Sequence, residues 1–161
     1  MGAGEKGRAG MGVRAISHVA IGVRDMERSL RFWRDALGLS VKLDAVEELP
    51  GISGAPPRKR RAAYLGWSEG RHESFVVLDQ PLSVEPAGEP ARLFQTGVHH
   101  FSFWVDDIAR SVARVRAGGF EVLFEPAVGD TVAYGEAPGG KVLSTFLRDP
   151  DGNYVQLDQR A

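Results

Sequence analysis

The sequence contains no cysteine, has almost no net charge and lacks any long apolar run. Without cysteine it can form no disulfide bond, no thiolate metal site and no thiol nucleophile. A formal net charge of -1 gives no electrostatic reason to expect nucleic acid or an anionic membrane as a partner. No apolar stretch approaches the ~18–20 residues that a membrane-spanning helix needs. We therefore expect neither a nucleic-acid nor a membrane protein.

The chain length and composition are those of an ordinary globular protein. Its 161 residues, 43% apolar and 25% charged, are enough for one compact domain or for two small fused modules. Residues 1–12 are rich in glycine and charge and lack the apolar centre of a signal peptide. We expect this segment to be a flexible tail and the protein to be cytoplasmic.

The first half alternates in a way that predicts one helix among four strands. Residues 13–23 alternate as a strand, with His18 on one face, and Asp25 follows at a helix N-cap position. The next segment carries an apolar helical stripe, and further strands are predicted at 39–45, 62–67 and 74–80. The members of the stripe are Met26, Leu30, Trp33 and Leu37.

A proline- and glycine-rich segment interrupts this pattern at residues 46–61. It ends in the basic run of residues 58–61, Arg-Lys-Arg-Arg. We interpret the run as part of a solvated loop, and the alternative is a lid whose cations meet an anionic group of a substrate.

The second half repeats the first. A shift of 82 residues places His18 on His100 and Asp25 on Asp107, and the helical stripe recurs behind them. Later strands are predicted at 120–125, 142–148 and 154–159, with a glycine-rich loop at 128–140. Such a repeat predicts two similar modules, each β-α-β-β-β, that pack as a pair. Their bounds are 13–80 and 97–161, with a linker at 81–96, and together they form one compact domain.

The last two predicted strands are joined by a tight turn. Pro150 ends the first strand, and the Asp-Gly-Asn triplet after it tolerates the left-handed conformations of short turns. Alternation then puts Tyr154, Gln156 and Asp158 on one face of the final strand. Gln156 therefore lies at the middle of a polar face.

Three stretches of this sequence resemble the vicinal oxygen chelate superfamily, which includes glyoxalase I, extradiol dioxygenases and the bleomycin and fosfomycin resistance proteins. They are ISHVAIGVRD (16–25), GVHHFSFWVDD (97–107) and FLRDPDGN (146–153). The resemblance implies an α+β fold in which two tandem βαβββ modules form one cupped mixed β-sheet. It also implies a small-molecule substrate and a possible homodimer.

The resemblance further implies a divalent metal (Fe, Mn, Zn or Ni) in the cup. The ligand positions of the superfamily fall on His18, His100 and Gln156, while the fourth falls on Val77, which cannot bind a metal. Gln156 supplies a neutral amide where a carboxylate would add charge, so affinity for a hard cation should be lower. By strand alternation His99 should point to the opposite face.

Other side chains are expected to contact the substrate. Ser102, Trp104 and Tyr154 share the inward face of the predicted strands, and Val77 lies at the empty ligand position. Tyr134, in the glycine-rich loop, is a candidate catalytic proton donor or substrate clamp, and the alternative is a surface tyrosine.

Two functions follow from these expectations. The first is a metal-dependent enzyme, a dioxygenase, lyase, isomerase or transferase, acting on a small substrate that chelates through two adjacent oxygens. The second is a metal-free protein that binds small molecules or sequesters a drug in the same cup. Superfamily membership alone does not decide between them, because this fold hosts many reactions.

Overall fold

A computed structural model describes residues 12–13, 15–51, 53–68 and 73–161. All but the last residue of the predicted N-terminal tail lies outside these ranges. Among the described residues, no helix is long and apolar enough to cross a membrane.

Each half of the chain contains four strands and one main helix. The first half holds β1 (His18–Gly22), α1 (Met26–Leu30), β2 (Ser40–Leu49), β3 (Arg58–Gly66) and β4 (Phe75–Pro81), and α1 continues as a π-helical segment (Arg31–Ala36). The second half holds β5 (His100–Trp104), α2 (Ile108–Ala117), β6 (Ala127–Asp130), a 3₁₀ turn (Thr131–Tyr134), β7 (Lys141–Arg148) and β8 (Tyr154–Arg160).

The strands form two four-stranded sheets of identical topology. The orders are β1-β4-β3-β2 and β5-β8-β7-β6. In each sheet the first strand runs parallel to the last, and the remaining pairs are antiparallel. Within the described ranges, no strand of one sheet pairs with a strand of the other. The predicted α+β fold with two tandem modules is confirmed.

Both helices are capped in the same way in the two halves. The carboxylates of Asp25 and Asp107 each accept a hydrogen bond from the backbone N–H of the residue three positions later, at 3.0 and 2.9 Å, as the sequence predicts. The amide oxygens of Gln80 and Gln159 accept from the first N–H of α1 and α2, at 3.3 and 2.7 Å. The repeated Leu-Asp-Gln sequence therefore ties the end of each sheet to the start of its helix.

The prediction that residues 58–61 form a loop is wrong, because this basic run begins β3. Carboxylates on β2, β4 and α1 neutralise two of its arginines, so ion pairing rather than solvation accommodates the charge. The ion pairs are Arg60–Glu47, Arg60–Asp79, Arg61–Asp44 and Arg61–Glu27, with N–O distances of 2.5–2.8 Å.

The predicted strand at 120–125 is also wrong. This segment runs irregularly beside β7 and forms one isolated bridge, between Val122 and Leu147. The strand at the edge of the second sheet is instead β6, which overlaps the start of the predicted glycine-rich loop at 128–140. Pro126 separates the two segments, and its missing N–H prevents continuous pairing across it.

The two halves share one hydrophobic core. The fully buried ring of Trp33 stacks on Phe101 of β5, with centroids 5.8 Å apart, and meets Phe103 edge-on at 6.0 Å. Phe32 meets Phe120 edge-on at 5.1 Å. The helix of the first half therefore packs directly against the second half.

The turn between β7 and β8 fixes where β8 begins. Asp149, only 4% exposed, accepts from the backbone N–H groups of Asp151 and Asn153 at 3.0 and 2.8 Å. Gly152 has a φ of 93°, which favours glycine. Asp151 in turn accepts from the backbone N–H of Arg24 at 3.1 Å, so the turn is anchored to the first half.

Candidate functional site

Polar side chains gather on one face of the second sheet, which we call the polar face. Pairing between β5 and β8 aligns His100 with Tyr154, Ser102 with Gln156 and Trp104 with Asp158. Because side chains alternate along each strand, all of these project to the same side, away from the core residues Val155 and Leu157.

Asp158 is the centre of the polar face. It is 1% exposed and accepts hydrogen bonds from Ser102 Oγ, from Ser144 Oγ at 2.6 Å and from Gln156 Nε2 at 2.8 Å. Burial raises the pKa of the Asp158 carboxyl, but the hydrogen bonds from these residues and Tyr134 outweigh burial and hold the pKa below its usual value. Asp158 is therefore a buried carboxylate.

His100 lies at the start of β5 beside a second histidine. Its Nδ1 is 2.8 Å from Nδ1 of His99, and Phe146 meets its ring edge-on at 5.2 Å. Burial, followed by the proximity of His99, lowers the pKa of His100 although Asp158 opposes the change. His100 is therefore a neutral imidazole at neutral pH.

The prediction that His99 points to the opposite face is wrong. Its ring lies beside that of His100, with centroids 4.6 Å apart. β5 begins at His100, so the alternation of a regular strand does not extend to His99.

Tyr134 lies at the end of the 3₁₀ turn and is half-buried against the polar face. Its hydroxyl is 3.3 Å from Ser144 Oγ, and its ring lies 5.2 Å from that of Trp104. Burial raises the pKa of Tyr134, which keeps the phenol protonated. The guanidinium of Arg160 also contacts Trp104, at 4.6 Å from its ring centroid.

Tyr154 lies at the start of β8 with its hydroxyl already engaged. The hydroxyl accepts from Arg148 at 2.8 Å, and the same guanidinium lies 4.5 Å from the ring centroid. Arg148 therefore holds both the hydroxyl and the ring of Tyr154 in place.

His18 and Val77 lie on the first sheet, apart from the polar face. The His18 ring stacks on Phe75, with centroids 5.1 Å apart, and makes no hydrogen bond or ring contact with His100 or Gln156. Val77 is 4% exposed on the same sheet face as His18. No group of three or more His, Cys, Asp or Glu that could hold a metal occurs in the described part of the chain.

An open groove of about 1070 Å³ separates the edge strands β1 and β5. His100, Ser102 and Trp104 line it on one side, and Val19 and Phe75 of the first sheet line it on the other. Its walls are mainly apolar and aromatic, as in sites for small organic molecules.

The sequence did not reveal the role of Asp158. Alternation placed it correctly on the same face as Gln156, but only the fold shows that it is buried and that two serines and the Gln156 amide donate to it. A carboxylate predicted on an inward face, with serines at inward positions of neighbouring strands, is the signal that could have identified it.

Two βαβββ modules that share one core, with a polar face beside a groove, define the class of fold to which this protein belongs. Residues 15–157 match the family described as "Glyoxalase/Bleomycin resistance protein/Dioxygenase superfamily". The chain belongs to this superfamily.

Relatives by sequence include lactoylglutathione lyases. The chain is 32% identical over 149 residues to a "Probable lactoylglutathione lyase, chloroplastic" of Arabidopsis thaliana. The aligned region covers 91% of this chain and 36% of that protein. The chain is 28% identical over 142 residues to the lactoylglutathione lyase of Haemophilus influenzae, covering 88% and 90%. The chain thus spans about a third of the plant relative and nearly all of the bacterial one.

Solved structures confirm the fold. A glyoxalase family protein from Bacillus cereus superposes with a TM-score of 0.73 at 18% identity, over 94% of this chain and 97% of that one. A glyoxalase I mutant from Zea mays superposes with a TM-score of 0.65 at 22% identity, over 91% and 45%. At these identities the likeness concerns the fold alone.

Proposed function

We propose that the protein is a metal-dependent enzyme of the glyoxalase type, a lyase or isomerase of a small substrate that chelates through two adjacent oxygens. The observation that carries this proposal is the polar face, where a neutral imidazole and an amide lie on neighbouring strands around a buried carboxylate. The lactoylglutathione lyases among its relatives support a glutathione adduct as the substrate class.

The donor atoms of this chain suit a divalent metal of borderline hardness. His100 is neutral, and no hydrogen bond from a described residue reaches its Nε2 or the amide oxygen of Gln156. With His18 these residues supply two imidazoles and one amide oxygen, a set compatible with Fe, Mn, Zn or Ni. Val77 leaves the fourth position without a ligand, so substrate or water would complete the coordination.

In the reaction, the chain's own residues would orient the substrate and handle its proton. A bound metal would act as a Lewis acid that stabilises negative charge on the substrate oxygens. Tyr134 stays protonated and is half-buried on this face, so its hydroxyl would act as a proton donor or would clamp the substrate through a hydrogen bond. Trp104 would hold a planar substrate against the sheet, and Tyr154 and Ser102 would contact the substrate from the polar face.

We also propose that the cup is completed by a second copy of the chain. β1 and β5 are each paired on one side only within the described residues, and His18 does not meet His100. Large apolar side chains near these edges are exposed, among them Ile16 at 68% and Trp67 at 48%. In a twofold-symmetric dimer, His18 of one copy would face His100 and Gln156 of the other.

Mixing two defective variants tests this shared site. His18→Ala and His100→Ala should each bind no metal, whereas a refolded equimolar mixture should recover about a quarter of the wild-type metal sites. Half of the dimers would be mixed, and each mixed dimer would hold one complete site of two. Metal content per chain, measured after gel filtration, reports the recovery. A mixture that stays empty while wild type binds metal would place both histidines in the same copy.

Metal loading of the wild-type protein tests the function itself. Chelator-treated protein incubated with Fe(II), Mn(II), Zn(II) or Ni(II) should retain about one metal per chain for at least one of these ions. The loaded protein should then catalyse formation of lactoylglutathione, followed by its absorbance. Protein that retains none of the four ions would refute metal dependence.

The second candidate is a metal-free protein that binds a small molecule in the groove. The observations that favour it are the volume of the groove, about 1070 Å³, and the aliphatic side chain at position 77. On this alternative the His100 and Ser102 side chains, which line the groove, would hydrogen-bond directly to the bound molecule. Tight ligand binding that persists after chelator treatment would support it.

A further inference from the structure

Asp158 controls the orientation of the amide that the proposed function uses as a ligand. Gln156 and Asp158 are two residues apart on β8, so their side chains share one face. The Gln156 Nε2 donates to Asp158 Oδ1 at 2.8 Å. We propose that Asp158 is a positioning residue that holds the Gln156 amide oxygen toward the metal and supplies the negative charge that glutamine lacks. The metal-related part of this inference rests on the proposed function.

The orientation follows from the chemistry of the pair. A glutamine amide presents an oxygen at one end and an N–H₂ group at the other, and on its own it has little preference between its two flips. Beside a carboxylate, only the flip with Nε2 facing the carboxylate forms a hydrogen bond, because the other sets two acceptors against each other. The amide oxygen is therefore directed away from Asp158 and remains free to accept.

Asp158 can fix the amide because Asp158 itself is fixed. Ser102 Oγ on β5 and Ser144 Oγ on β7 both donate to it, so hydroxyls from the two neighbouring strands hold the carboxylate in place. These contacts use both oxygens of Asp158 as acceptors, an arrangement that favours the ionised form. The carboxylate is 1% exposed, so water screens its charge little.

The charge of Asp158 compensates for the neutral ligand. The ligand set of His18, His100 and Gln156 carries no formal charge, whereas Asp158 places one negative charge a single hydrogen bond behind the amide. Partners that hydrogen-bond to metal ligands typically change metal affinity by about 10–100-fold. Polarisation of the amide by the carboxylate also increases electron density on its oxygen.

The first half of the chain provides a matched comparison. Asp79 occupies the position equivalent to Asp158 in the repeated Leu-Asp-Gln sequence, but its carboxylate binds Arg60 at 2.5 Å. Val77 stands where the second half has Gln156. The carboxylate and amide pair is therefore confined to the second half, and Asp79 serves as an internal control.

The test compares Asp158→Asn with Asp79→Asn. Titration of chelator-treated protein with Zn(II) and Ni(II) should show metal affinity about 10–100-fold weaker for Asp158→Asn and within about 2-fold of wild type for Asp79→Asn. Circular dichroism confirms that both variants are folded. Ser144→Ala keeps the charge but removes one anchor, and it should give an intermediate loss.

A second readout reports the amide without any metal. The signals of the Gln156 side-chain N–H₂ group in a ¹H–¹⁵N spectrum are assigned as those missing from Gln156→Ala. In the wild type, one of the two protons should be strongly shifted and exchange slowly with water. In Asp158→Ala this shift and the slow exchange should both be lost.

The outcomes separate this inference from the proposed function. Wild-type metal binding with unchanged affinity in Asp158→Asn would overturn the role of Asp158 and leave the enzyme proposal standing. A wild type that binds no metal but shows the shifted proton would refute the enzyme proposal and support the positioning of Gln156. An averaged, unshifted N–H₂ signal in the wild type would overturn the positioning.

Discussion

The His100→Ala substitution should abolish metal binding, with affinity lowered by more than about 100-fold. His100 contributes a neutral imidazole whose Nε2 receives no hydrogen bond from a described residue. Gln156 lies on the same face of the neighbouring strand, two residues beyond the partner of His100. Removing it leaves one histidine and one amide, too few donors to hold a divalent ion against water. Metal content after equilibrium dialysis, together with calorimetric titration, measures the loss.

His99→Ala is the control for this prediction. The two histidines are adjacent, and their Nδ1 atoms lie 2.8 Å apart, so the sequence alone could assign the ligand to the wrong one. If His99 orients His100 and is not itself a ligand, the His99→Ala substitution should lower metal affinity by only about 10-fold. If His99→Ala lost more affinity than His100→Ala, the assignment of the ligand would have to be reversed.

Local sequence patterns predicted the elements that lie close together in the chain. Asp25 and Asp107 cap helices because a short carboxylate beside an exposed N–H is a strictly local interaction. The turn at Asp149 and Gly152 and the polar face of β8 likewise depend on neighbouring residues. The 82-residue repeat then duplicated each of these local predictions and led to the α+β fold.

What the sequence missed depends on pairing between distant segments. Residues 58–61 resemble a solvated run in the sequence. In the fold, carboxylates of β2 and β4 lie within ion-pair distance of Arg60, and one of β2 within that distance of Arg61, and the run forms a strand. The burial of Asp158 follows from Ser102 and Ser144 arriving from other strands. Whether His18 meets His100 depends on how the open edges of the two sheets are brought together, and no periodicity within a strand encodes that arrangement.

The Trp33→Ala substitution should lower the free energy of unfolding by about 3–5 kcal/mol, a large share of the ~5–15 kcal/mol typical of a native domain. Trp33 is fully buried and contacts Phe101 and Phe103 of the second half. Its loss would open a cavity between the halves. Urea unfolding followed by circular dichroism measures the effect, and a change below about 1 kcal/mol would contradict a shared core.

Trp33→Phe distinguishes lost packing from lost polar contacts. The buried indole Nε1 has no hydrogen-bond partner, so phenylalanine removes an unsatisfied donor while it keeps an aromatic ring between the halves. We therefore expect a loss of about 1–2 kcal/mol, well below that of alanine.

Both Trp33 variants should still unfold in one transition. The π-helical segment widens the apolar face of the first helix, so that Phe32, Trp33 and Ala36 are all buried and the helix contacts both halves. Modules that share this helix cannot lose their packing separately. Two resolved transitions in the alanine variant would show instead that the halves at 13–80 and 97–161 are independently stable.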